Sequence, residues 1–129
     1  MRQEYVRKIA DFIQEHIRLY DRDQLEEFIQ THESYGTLDF AINTSNSIVA
    51  VVRFNVSDDG KCAHVLDFCI RKEHRNNGVI NDFLERALIR FPKLLEIEFQ
   101  RGIRGCERSR RLNIQRILRR SNNYVRAIS

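Results

Sequence analysis

The residues most suggestive of chemistry in this sequence are Arg75-Asn76-Asn77-Gly78, inside the stretch CIRKEHRNNGVINDFLERAL from Cys69 to Leu88. An apolar, β-branched run precedes them and an amphipathic helical pattern follows, so they occupy a strand-to-helix junction. Such a junction suits an anion. The first turn of a helix has backbone N–H groups without partners and carries the positive end of the helix dipole. Gly78 lets that backbone approach an oxygen with no Cβ in the way, and Arg75 adds charge. The chemistry implied is the cradling of a phosphate. The plainer alternative is a polar loop with a helix cap.

The thiols and imidazoles suggest less. Cys62, Cys69 and Cys106 form no C-x-x-C pair, which argues against a disulfide framework and against a structural zinc site. The four histidines, His16, His32, His64 and His74, show no ligand spacing with one another, so no metal is expected. Cys69 without an adjacent base stays a thiol at neutral pH. His64 lies five residues away on the same strand and therefore on its opposite face, so no Cys–His dyad is expected.

These groups must be positioned by the rest of the chain. At 129 residues, one domain with its own core is the expectation. No run of apolar residues is long enough to span a bilayer, and the first residues lack the apolar centre of a signal peptide. A cytoplasmic protein that does not enter membranes is the expectation, with its oligomeric state left open. Charge is uneven. From Arg101 to Ser129 there are nine arginines against one acid, about +8, leaving about −4 for the first hundred residues of a chain whose formal charge is +4. Forked guanidinium groups suit phosphates and carboxylates, so this block is a candidate anion-binding face as well as an ordinary solvated one.

Residues 1–33 read as two helices. Tyr5, Val6, Ile9, Phe12, Ile13, Ile17 and Tyr20 form one apolar stripe, and Asp21 or Asp23 can cap a second helix carrying Leu25, Phe28 and Ile29. Residues 37–100 hold the sheet. Thr37–Asn43, Ile48–Val56 and Cys62–Arg71 read as an antiparallel meander, with Asp59-Gly60 as a hairpin turn. Val79 to Phe91 is a helix stopped by Pro92, and Leu94–Gln100 alternates as a strand. The strand–helix–strand unit implies a crossover between parallel neighbours. Residues 101–129 read as a basic helix over about 107–120, seamed by Leu112, Ile117 and Leu118, and a short strand at 124–128. The fold class is α/β, a mixed and mostly antiparallel central sheet with helices on both faces.

This element order, together with FCIRKEHRNNGVINDFLERAL, resembles the GCN5-related N-acetyltransferases, the GNAT superfamily. Their pyrophosphate signature, an arginine or glutamine, two free positions, glycine, one free position, then glycine or alanine, reads here Arg75-Asn76-Asn77-Gly78-Val79-Ile80. By element order the resemblance spans about residues 2–128, while its motif spans barely a dozen. It implies an acyl-CoA N-acyltransferase-like fold with acetyl-CoA as co-substrate. The N–H groups from Asn76 to Ile80 would hold the pyrophosphate, and the pantetheine arm would run beside Phe68, Cys69 and Ile70. The implied activity is transfer of an acetyl group to an amine, on a small molecule or a protein. The sequence departs from the family at Ile80, where a second small residue is usual, and at Leu118, where a tyrosine acid often stands. Ile103 stands near the place of a customary asparagine, and Asn122-Asn123 replaces a glycine–aromatic pair.

N-acyl transfer needs a neutral amine, so a base must accept a proton. By the family pattern Asp67 is the closest acid, against the plainer reading of a solvent-facing or arginine-paired aspartate. Glu98 is the alternative, with a similar plain reading. The rival reading is a non-catalytic binding module on the same scaffold. Arg104, Arg108, Arg111, Arg116 and Arg119 would then engage nucleic acid or an acidic partner. No aromatic residue interleaves that block, so stacking on single strands is not expected.

Overall fold

The computed structural model describes residues 3–17, 20–75, 78–101 and 108–119. The elements are helices α1 (Gln3–His16) and α2 (Arg22–Ser34), strands β1 (Leu38–Ile42), β2 (Ile48–Val56) and β3 (Cys62–Ile70), helix α3 (Val79–Arg90), and strands β4 (Glu96–Arg101) and β5 (Arg108–Asn113). The strands form one sheet in the order β1-β2-β3-β4-β5. It is mixed: β1 runs antiparallel to β2, β3 parallel to β4, and β4 antiparallel to β5. The chain divides into two compact units, Met1–Phe54 with Asp67–Val79, and Asn55–Leu66 with Ile80–Ser129.

The first unit is built on the apolar stripe of α1. Val6, Ile9, Ala10, Phe12 and Ile13 pack with Leu25 and Ile29 of α2, Leu38 of β1, Ile48 and Val51 of β2, and Cys69 of β3. Their three- and four-residue spacing puts them on one helix face, and burying each large side chain contributes about 1.5–3 kcal/mol. Asp21 caps α2, its carboxylate accepting from the Gln24 N–H at 3.3 Å. The turn into β2 is set by Asn43, whose side chain accepts from the N–H groups of Ser45 and Ser47. In β2 every residue from Ile48 to Phe54 is buried, the continuous burial of an interior strand. That run includes Arg53, and a guanidinium in such a place must be paired.

The second unit begins with the hairpin turn before β3. Gly60 adopts φ +76°, and Asp59 accepts from the Ser57 hydroxyl and the Lys61 N–H. Among the described residues, Cys62, Ala63, Phe83, Leu84, Leu94 and Ile114 are its buried apolar residues. After α3 the chain turns at Pro92, and the N–H groups of Leu95 and Glu96 both reach the Lys61 carbonyl, at 2.8 and 3.1 Å. This leads β4 alongside β3, pairing Cys62 with Glu96, Ala63 with Ile97 and His64 with Glu98. The parallel crossover partners follow the sequence expectation.

The basic segment does not. Residues 108–113 form β5, paired with β4 from Glu96↔Asn113 to Arg101↔Arg108, and among the described residues of the segment only 114–119 are helical. The β4 edge offers a ladder of backbone groups, and Glu98 faces Arg111 across it. A cross-strand pair of opposite charges favours that register. Asn113 then caps the short helix, its side chain accepting from the Arg116 N–H at 3.0 Å. In a strand the arginines alternate between two faces instead of wrapping a helix. Arg104 and the strand expected at 124–128 lie outside the described residues. No described helix is long and apolar enough to cross a membrane.

Candidate active site

The junction after β3 has the local geometry its residues imply. Ile70 ends the strand, Arg71 is extended, and Lys72–His74 make one 3₁₀ turn that Arg75 closes, its N–H toward the Lys72 carbonyl. Asn76 and Asn77 lie outside the described residues. Gly78 adopts φ +77°, and α3 starts at the next residue. That backbone conformation is strained for a residue with a Cβ. A Cβ built at Gly78 would meet nothing within 4 Å, so the backbone faces open space. Arg75 is exposed, Val79 half-buried, and Ile80 is 40 % exposed in the first turn.

Arg71 anchors the entry to this junction. Its N–H donates to the Val49 carbonyl at 2.8 Å and its Nε to the Ile48 carbonyl at 3.1 Å. Its guanidinium lies 5.2 Å from the centroid of the Phe12 ring. The end of β3 is thereby tied to β2 and α1.

The last residues of β3 alternate. Phe68 is 39 % exposed and Ile70 half-buried, while Asp67 and Cys69 point to the other face and are buried. Burial, and next the Asp67 charge, push the Cys69 thiol up to about 11. It is therefore a packed thiol and no nucleophile at neutral pH.

Asp67 belongs to a buried polar network. Its Oδ1 accepts from the Tyr20 hydroxyl at 2.8 Å and its Oδ2 from Arg53 Nε at 2.7 Å. Arg53 also donates to the Tyr20 oxygen at 3.1 Å and lies 3.3 Å from His32 Nε2. His32 Nδ1 lies 3.1 Å from the Phe54 carbonyl and 2.8 Å from the Thr37 hydroxyl. A guanidinium only donates and a carbonyl only accepts, so His32 is the neutral tautomer with its proton on Nδ1. Burial, then the Arg53 charge, hold the His32 pKa below the ordinary imidazole value. The Tyr20 phenol is held above its ordinary range, first by burial and then by the Asp67 hydrogen bond. The rings of Phe28 and Tyr20 flank the guanidinium, their centroids 5.2 and 5.6 Å from it.

Glu98 sits in the second unit. Its Oε2 accepts from Arg111 Nε and its Oε1 lies 3.1 Å from His64 Nδ1. The Arg111 hydrogen bond is the main reason its carboxyl lies below the usual range.

The family model for the acetyltransferase (GNAT) family matches residues 5–102. The chain belongs to the GNAT acetyltransferase family. No curated protein matches it in sequence. Among solved GNAT-like structures, an aminoglycoside 6'-N-acetyltransferase complexed with coenzyme A aligns at TM-score 0.60 and 10% identity, covering 77% of this chain and 56% of that one. The chain thus spans little more than half the length of that relative. A chimeric spermidine N-acetyltransferase derived from Vibrio cholerae aligns at TM-score 0.57 and 16% identity, covering 81% and 69%. A GNAT acetyltransferase from Staphylococcus aureus gives TM-score 0.58 and 18% identity, covering 78% and 70%.

For this GNAT chain, Phe68, Cys69, Ile70, Arg75, Gly78 and Val79 fall in the first unit with Asp67, and Ile80 falls in the second, which also holds Glu98. Leu118 is half-buried in the short helix, while Ile103, Asn122 and Asn123 lie outside the described residues. Sequence reasoning passed over Tyr20, Arg53 and His32. Tyr20 was absorbed in a helical stripe, and Arg53 stands out only as a charge inside the apolar run IVAVVRFNV.

Proposed function

We propose that this protein is an acyl-CoA-dependent N-acetyltransferase acting on an amine of a small molecule or protein. The observation that carries the reading is the Gly78 turn: positive φ, open space where a Cβ would stand, and the start of α3 at the next residue in a GNAT chain. Those features fit a pyrophosphate, which needs backbone N–H donors and close approach. The N–H groups of Gly78, Val79 and Ile80, with Asn76 and Asn77 before them, would hold it, and the exposed Arg75 would add charge. Phe68, Cys69 and Ile70 would flank the pantetheine arm. When bound, acetyl-CoA supplies an acyl group activated as a thioester.

The chain's own task is to manage the amine's proton. Asp67 is the proposed acceptor, reached through Tyr20. The phenol takes the amine's proton as it passes its own to Asp67 Oδ1, a relay along the 2.8 Å hydrogen bond. Arg53 keeps the carboxylate oriented through Oδ2. Glu98 is the alternative acceptor. The coenzyme A-bound aminoglycoside enzyme and the spermidine enzyme support trying polycationic amines first.

The test follows free thiol released from acetyl-CoA with polyamines, aminoglycosides and peptide amino termini as acceptors. An amine-dependent release that falls sharply in Tyr20→Phe and in Asp67→Asn is expected. No release with any amine would overturn the enzymatic reading.

A further inference from the structure

The opposite half of β3 holds a second constellation, independent of the coenzyme A reading. In a strand, residues two apart share a face, so Cys62 and His64 project together. The parallel register sets His64 against Glu98, and β5 sets Arg111 against Glu98. One sulfur of Cys62, one ring nitrogen of His64 and one carboxylate oxygen of Glu98 lie within 4.8 Å of one another. Cys62 is buried, while the His64 and Glu98 side chains keep 37 % and 22 % exposure, so the cluster has a closed floor and an open side.

We infer that Cys62, His64 and Glu98 form a three-ligand site for a divalent transition metal, zinc above all. The donor set is the reason. Thiolate, imidazole and carboxylate together suit zinc, whereas calcium and magnesium take oxygen ligands. Three protein ligands leave a fourth tetrahedral position open, and the open side admits water there. His64 Nδ1 and Glu98 Oε1 lie 3.1 Å apart, a separation that two ligands of one metal ion can keep. Arg111 keeps the other carboxylate oxygen, fixing the orientation of Glu98 as outer partners of metal ligands do. The Cys62 thiol must lose its proton on binding, so metal uptake releases acid.

Cobalt(II) is the probe, because a thiolate ligand gives it an intense charge-transfer absorption that an oxygen and nitrogen site lacks. The purified, metal-free chain is titrated with cobalt and then with zinc as competitor. A thiolate band saturating at one equivalent, abolished by zinc, is expected. The band should vanish in Cys62→Ser, persist in Cys69→Ala, and require at least about tenfold more cobalt in Glu98→Gln. Circular dichroism of each variant checks that it is folded. Should Cys62→Ser fail to fold, Glu98→Gln and His64→Gln carry the test. No band at millimolar cobalt, or affinity unchanged in both of those variants, overturns the site.

Discussion

Asp67 and Glu98 are each held by an arginine, and they differ in their distance from water. The Arg53 and Asp67 side chains are 8 % and 3 % exposed, and those of Arg111 and Glu98 are 57 % and 22 % exposed. The first pair is a structural commitment: once out of water, either charge alone is far costlier than both together. The second is solvated, and water substitutes for either partner. The same residue types therefore make a rigid network in one unit and an adaptable cluster in the other. A fixed Asp67 suits an oriented proton relay, and a partly solvated, ionised Glu98 suits the role of metal ligand proposed for it.

The largest expected effect breaks the buried pair. Arg53→Met leaves Asp67 uncompensated and should lower unfolding free energy by about 3–5 kcal/mol in urea denaturation. If the loss is negligible, Asp67 is not desolvated as described. Next comes acid. His32 has a folded pKa below its ordinary value of 6.5, so the unfolded chain binds the extra proton first. Its contribution to stability is complete above about 6.5 and is lost as pH falls from there toward the folded pKa. His32→Gln should flatten the stability profile in that window. Glu98 is depressed below its ordinary value of 4.5. Its contribution to stability is complete above about 4.5 and is lost as pH falls from there toward the folded pKa, and removing Arg111 should flatten that acid limb.

Smaller effects follow at the helix start and on the open face. Asp82 is exposed in the first turn of α3 and would compete with the proposed phosphate for the positive end of the dipole. Asp82→Asn should tighten acetyl-CoA binding by about two- to fivefold at low salt, an advantage that shrinks as salt rises. The smallest effect is at the exposed pair: Arg111→Gln should lower the urea midpoint at neutral pH only slightly. A large drop there would make the two arginine–carboxylate pairs alike.

Much of this was legible because the apolar periodicity is strong. The stripe from Val6 to Ile13, the run from Ile48 to Phe54 and the Asp59-Gly60 turn announce their elements directly. The Arg75–Ile80 segment falls where its glycine and the following helical stripe imply. Residues 108–113 misled because RSRRLN has no apolar alternation, and its strand state comes from pairing with β4, a partner distant in sequence. Arg53 and Asp67 each interrupt an apolar run, but only the sheet shows that they meet. Cys62 and His64 are two apart on a strand and meet Glu98 only through the β4 register, whereas C-x-x-C is a loop spacing.

Calorimetric titration with acetyl-CoA, on the wild-type chain and on Gly78→Glu, tests the central claim most directly. The account predicts micromolar binding that is lost when a carboxylate side chain is placed at the turn. No binding at millimolar acetyl-CoA, or equal binding by the variant, would contradict it.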